Sequence, residues 1–135
     1  MGGFLLLIMK RRVTLGMAKL AKEKGFDWPI KRVYRLQEKE SQKPKTYKVL
    51  KSNYNSLSNK ATYISAPSLI KLHKWLRETH NIYIVPCPHR SGKILCEVYN
   101  FNNNNVSGYT NVEGISSDSW EGALEQGLYE ALKLL

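Results

Sequence analysis

Ser65-Ala66-Pro67-Ser68-Leu69-Ile70-Lys71-Leu72-His73-Lys74-Trp75-Leu76-Arg77-Glu78-Thr79-His80-Asn81, running directly into Ile82-Tyr83-Ile84-Val85, reads as a helix that delivers the chain into a strand. Ser65 or Ser68 can cap the orphan N–H groups of the first turn, and Pro67 suits that turn because its missing N–H would have no partner there. Leu69, Leu72, His73 and Leu76 recur at helical spacing while Lys71, Lys74 and Glu78 fall opposite, so one face is core and the other is wet. His73 on the inward face is expected to be partly buried with a local hydrogen bond. Asn81 tolerates the left-handed conformation that ends a helix, after which the period changes to the alternation of Ile82 and Ile84.

Upstream of this stretch, Thr14 can cap a helix over residues 15–24, with Met17, Leu20 and Ala21 inward and Gly25 as its stop. Phe26 stands where a residue commonly packs back on a helix end, and Trp28-Pro29 forces extended backbone into residues 30–36, the first expected strand. Its alternation is imperfect, since Ile30, Tyr34 and Leu36 share a face with Arg32, and this predicts an edge position. Residues 38–44 form a charged turn, and Thr46-Tyr47-Lys48-Val49-Leu50 is expected to return antiparallel. The Ser-, Asn- and Lys-rich residues 51–62 read as a long loop.

Downstream, a two-residue turn at Ser91-Gly92 would set Cys87 opposite Cys96. Pro86 and Pro88 would then occupy positions whose N–H points at the partner strand, and proline has none. Residues 86–93 therefore read as a longer basic loop before a strand over residues 94–99. Asn102 to Asn105 form a loop tip, and residues 106–112 add a further strand. Asp118 with Glu121 makes a carboxylate version of the capping box for a last helix, whose apolar stripe includes Trp120, Ala123, Leu124, Gly127, Leu128 and Ala131. Glycine within a helix costs about 1 kcal/mol relative to alanine, so Gly127 on the inward stripe points to the close approach of another backbone.

These elements specify an α+β fold: an antiparallel sheet of three to five strands packed by two main helices, the central and the C-terminal, plus an N-terminal helix. No linker or internal repeat divides them, and the chain reads as one domain over residues 13–135 behind an apolar and basic extension over residues 1–12. That extension is too short to span a bilayer, and its charges follow its apolar run, the reverse of a secretory signal. Met9, followed by Lys10-Arg11-Arg12, is an expected natural start of translation. Two cysteines without a secretory signal point to a reduced, cytoplasmic setting.

The 135 residues hold 21 Lys and Arg against 11 Asp and Glu, a net charge of +10. The excess lies early: residues 1–60 carry +11, residues 61–100 carry +3 and residues 101–135 carry −4. Such a balance favours an anionic partner, a nucleic acid or an acidic protein. Lys31, Arg32, Arg35, Lys45 and Lys48 lie along the proposed hairpin with Tyr34 and Tyr47 interleaved, the composition of a surface that tracks phosphates and stacks bases. Lysines also serve exposed strands as protection against aggregation, and tyrosines also build cores, so a protein–protein adaptor stands beside the nucleic-acid reading.

Catalysis has less behind it. The chain has no Gly-x-Ser-x-Gly elbow, no phosphate-cradling Gly-x-x-x-x-Gly-Lys and no His-Glu-x-x-His. Cys87, His89, Cys96 and His80 fit no zinc spacing. No catalytic residue, metal or cofactor is expected. From residue 66 onward the order helix, strands, helix resembles the topology of double-stranded RNA-binding domains. Such domains, however, begin their last helix with basic residues, where this chain has Asp118 and Glu121.

Three blocks carry a closer likeness: Ala18-Lys19-Leu20-Ala21-Lys22-Glu23-Lys24-Gly25-Phe26-Asp27-Trp28, then Ala66-Pro67-Ser68 with Leu72-His73-Lys74-Trp75-Leu76-Arg77-Glu78, and Trp120-Glu121-Gly122-Ala123-Leu124-Glu125-Gln126-Gly127-Leu128. Together they resemble small phage- and mobile-element-type proteins of anaerobic gut bacteria, a group with no assigned activity. The resemblance implies a compact accessory protein and brings no functional residue with it.

Overall fold

Thr14 begins the first helix as its hydroxyl predicts. In the computed structural model, which describes residues 11–36, 44–57, 63–102, 109–110 and 116–135, this hydroxyl accepts from the Met17 N–H at 3.2 Å and opens α1 (Leu15–Glu23). Gly25 closes the helix at φ +95°, its N–H bonding Lys22 O while the Phe26 N–H returns to Ala21 O. The Phe26 ring is buried. This is the left-handed termination that glycine permits without a Cβ penalty.

The described chain forms two compact units, one of them Lys10–Ser68. After α1 it contains β1 (Ile30–Arg35), β2 (Thr46–Ser52), a short α2 (Tyr54–Leu57) and β3 (Tyr63–Ser65). The antiparallel sheet has the order β2-β1-β3, so β1 is the central strand and not the expected edge. Its broken alternation has another cause. Neighbouring Val33 and Tyr34 are both buried, which means that both faces of the strand are covered. Extended backbone continues past β3, because the Ala66 N–H bonds Arg32 O at 2.9 Å, the Val13 N–H bonds Pro67 O at 3.1 Å and Arg12 bridges Ser68. Ser65 is thus a buried strand residue rather than a helix cap.

Ile30 pairs with Ser52 but Arg32 with Lys48, so Val49, Leu50 and Lys51 stand against Lys31 alone. The bulged segment pushes Leu50 out to 87% exposure. Asn55 fixes α2 by donating to Phe26 O and accepting from the Ser65 N–H, each at 2.9 Å. The expected turn over residues 38–44 and the end of the 51–62 loop lie largely outside the described residues.

The other unit begins with α3 (Leu69–His80), in which Leu69, Leu72, Trp75 and Leu76 are buried, and Asn81 at φ 55° ends it as expected. β4 (Ile82–Pro88) and β5 (Ile94–Asn100) follow, β5 pairing in addition with β6 (Tyr109–Thr110) and β7 (Ser116–Ser117). Of the expected strand over residues 106–112, the described part is β6. The loop expected over residues 86–93 is mostly strand. Pro86 pairs with Cys96 and Pro88 with Ile94, one residue away from the register that had been excluded. His89 donates its N–H to Lys93 O, and Gly92 at φ +88° completes the short turn Arg90-Ser91-Gly92. Because orientations alternate along an antiparallel ladder, Pro86 and Pro88 turn their nitrogens to the outer edge, where no donor is needed. Ile84 shares that orientation, and its N–H is taken up by Nε2 of His73 at 3.0 Å.

α4 (Trp120–Lys133) covers the face formed by Ile82, Ile84, Cys96 and Val98. Its cap is Ser119, whose hydroxyl accepts from the Gly122 N–H at 3.0 Å, and not Asp118, whose carboxylate pairs with Lys93 Nζ. Gly127 meets side chains rather than another backbone: a Cβ there would stand 2.3 Å from Cys96 Sγ and 2.7 Å from Ile84 Cγ2. The opposite face of the hairpin shows Tyr83, Val85 and Leu95, with Phe101 following, to solvent at 38–48% exposure.

Candidate nucleic-acid interface

Residues 10–68 carry 15 Lys and Arg against 4 Asp and Glu, while residues 69–135 carry 6 against 7. The boundary between the two units therefore separates a net +11 from a net −1. Five of these cations, Lys31, Arg32, Arg35, Lys45 and Lys48, lie on or beside the β1–β2 ladder.

On one face Lys31 and Arg35 alternate with Val33 and meet Tyr47 and Tyr63 from the flanking strands. The Arg35 guanidinium lies 4.3 Å from the centroid of the Tyr47 ring and 6.0 Å from that of Tyr63. Cation–π packing of this kind holds a guanidinium flat and preoriented while it stays exposed. Tyr47 itself is half-buried.

On the other face Arg32 stands opposite Lys48 and donates from Nη1 to Thr46 Oγ1 at 3.3 Å. Lys31, Lys45 and Lys48 are exposed and Arg32 is half-buried. Tyr34 belongs elsewhere. It is 8% exposed, and its hydroxyl donates to Val13 O at 2.6 Å, which makes it a core tyrosine with no ring face for a base. The expected cluster is thus divided by the strand period: Lys31, Arg35 and Tyr47 on one side, Arg32 and Lys48 on the other.

Two residues join the surface that pattern reading passed over. Leu50, between Lys48 and Lys51, looked like one more alternating strand position, and only the bulge exposes it. Arg12 looked like part of an extension. Its guanidinium instead donates to Ala66 O at 3.3 Å, beside the Arg32 carbonyl that receives the Ala66 N–H. Burial, and then the positive charge of Arg32, push Arg12 below its ordinary pKa.

Among the described residues of the other unit, His73, Cys87 and Cys96 are set apart from one another. Burial first, with His73 also near the Arg77 charge, holds this imidazole down at about 4, neutral and committed to the Ile84 N–H. Burial pushes the Cys96 thiol up to about 12, and Cys87 lies on the opposite face of the hairpin. Among the described residues no three His, Cys, Asp or Glu side chains gather closely enough to hold a metal ion. No described helix is long and apolar enough to cross a membrane. Comparison of the chain with protein-family models, with curated proteins and with solved structures finds no match.

Proposed function

We propose that this chain is a non-catalytic, phage-type accessory protein that binds nucleic acid in the cytoplasm through its basic unit. The observation that carries the reading is the segregation of charge, a net +11 on residues 10–68 beside −1 on residues 69–135. Exposed Lys31, Arg35, Lys45 and Lys48 supply phosphate contacts, with Arg35 held against Tyr47. Contacts of this type position a backbone without reading its sequence, so the expected ligand class is DNA or RNA of little sequence preference.

The test compares binding of labelled single- and double-stranded DNA and RNA by the wild type, a Lys31/Arg35/Lys45/Lys48→Ala variant and a Lys71/Lys74→Ala variant. The first variant should lose binding and the second retain it. Equal binding by all three overturns the reading. One observation favours a second reading, a protein–protein adaptor: Tyr83, Val85, Leu95 and Phe101 form an exposed apolar strip on the hairpin of the other unit. An interface of that kind would persist in salt that releases a nucleic acid.

A further inference from the structure

We propose that Arg12, Arg32 and Lys48 form a phosphate-binding site, filled in the functional complex by a backbone phosphate. This rests on the nucleic-acid reading above and assigns it a specific contact. Arg32 and Lys48 are direct cross-strand partners, about 5 Å apart at Cα in any antiparallel pair. Arg12 approaches the same row from the other side. Its bridge partner is Ser68, and its Nη1 reaches Ala66 O, while the Ala66 N–H bonds Arg32 O. Lys48, Arg32 and Ala66 follow one another across the sheet, and Ser68, the partner of Arg12, shares their face by the two-residue period, so the three cations line one sheet face with Arg32 between Lys48 and Ala66.

Like charges in such a row repel, and desolvating them adds to the cost unless an anion or another acceptor compensates. Among the described residues, the oxygens that receive the two guanidinium groups are neutral. Arg12 is held by the Ala66 carbonyl and Arg32 by the Thr46 hydroxyl, and among the described residues neither guanidinium pairs with a carboxylate. Each fork carries five N–H donors, of which one is engaged in these bonds among the described residues. Two forks and an exposed ammonium, fixed on backbone that is itself hydrogen-bonded, suit a tetrahedral oxyanion with several acceptor oxygens. Burial first, and then the positive charge of Arg32, hold the Arg12 guanidinium below its ordinary pKa.

The test has two arms on the full chain. In the first, thermal unfolding is followed in sodium phosphate and in sodium chloride at matched ionic strength, for wild type, Arg12→Gln, Arg32→Gln, Lys48→Gln and Lys19→Gln. Phosphate should raise the wild-type Tm above the chloride control in proportion to ligand excess. Arg12→Gln and Arg32→Gln should lose that increment, Lys48→Gln should reduce it and Lys19→Gln should keep it. Lys48 is exposed, so its variant is informative even if an arginine variant folds poorly.

In the second arm, labelled oligonucleotide should bind Arg12→Gln at least about tenfold more weakly than wild type, the loss expected for one charge-assisted contact. No phosphate effect on the wild type, or a full effect in Arg12→Gln, overturns the site. Oligonucleotide binding that survives in Arg12→Gln but is lost in the Lys31/Arg35/Lys45/Lys48→Ala variant overturns the site and upholds the broader reading. Phosphate stabilisation that depends on Arg12, in a chain that binds no oligonucleotide, upholds an oxyanion site and overturns the nucleic-acid reading.

Discussion

Gly127→Ala is expected to destabilise the protein even though alanine is the better helix former. In an exposed helix the exchange stabilises by about 1 kcal/mol. Here the added methyl would stand 2.3 Å from Cys96 Sγ and 2.7 Å from Ile84 Cγ2, inside the contact limits of both atoms. Neither neighbour has much freedom, since Cys96 and Ile84 are 3% and 2% exposed and lie on paired strands. Overpacking of this kind costs about 1–3 kcal/mol, and displacing α4 from the sheet would cost more. The net expectation is a loss of up to about 2 kcal/mol after the propensity gain is subtracted. Cys96→Ala, which removes Sγ and leaves a small void, should be destabilising alone yet partly restore the Gly127→Ala protein, because the new methyl occupies the vacated volume. A coupling of about 1 kcal/mol between the two sites is predicted. Urea unfolding of the four proteins at constant m measures it. If Gly127→Ala matches or exceeds wild-type stability, or the two changes simply add, the close approach of α4 to the β4–β5 sheet is refuted.

Protonation of His73 should cost stability in acid: its pKa falls from 6.5 to about 4 on folding, so its contribution is complete above pH 6.5 and is lost as the pH drops through that window. The loss amounts to at most about 3 kcal/mol, and His73→Ala should flatten the pH profile of Tm in that range. Pro86→Ala/Pro88→Ala restores two outward N–H groups on the open edge of β4 and should increase self-association by sedimentation, with little change in the unfolding midpoint. Equal association by variant and wild type would show that the prolines do not guard that edge. Tyr34→Phe should lower stability by about 1 kcal/mol through the lost bond to Val13 O, yet leave nucleic-acid binding intact. Weaker binding with unchanged stability would return Tyr34 to the surface.

The helix ends were the most legible features, because each depends on one local residue. Thr14, Gly25 and Asn81 act where their chemistry predicts. Asp118 failed as a cap because a competitor was adjacent: Ser119 reaches the helix N–H groups while the carboxylate is drawn to Lys93, a partner from β5's approach that no local pattern announces. Strand placement needed tertiary information. Tyr63-Ile64-Ser65 is too short to show a period, yet it moves β1 from edge to centre. The prolines correctly excluded one register of the β4–β5 hairpin, but they are equally consistent with a neighbouring register in which their nitrogens face outward. In the candidate interface, composition identified the basic hairpin. It could not assign faces, so it grouped buried Tyr34 with exposed Lys31 and left out Arg12, whose bond to Ala66 O exists only because the chain returns past it.

The measurement that bears most directly on the proposed function is the salt dependence of oligonucleotide binding by the wild-type chain, followed by fluorescence anisotropy from low to physiological salt. Binding through Arg12, Arg32, Arg35 and the exposed lysines of the hairpin predicts a linear fall of log K with log salt, with a slope that becomes shallower by about one for each phosphate-contacting residue removed. No binding at low salt, or binding with a flat salt response, would contradict it and move attention to the apolar strip of Tyr83, Val85, Leu95 and Phe101.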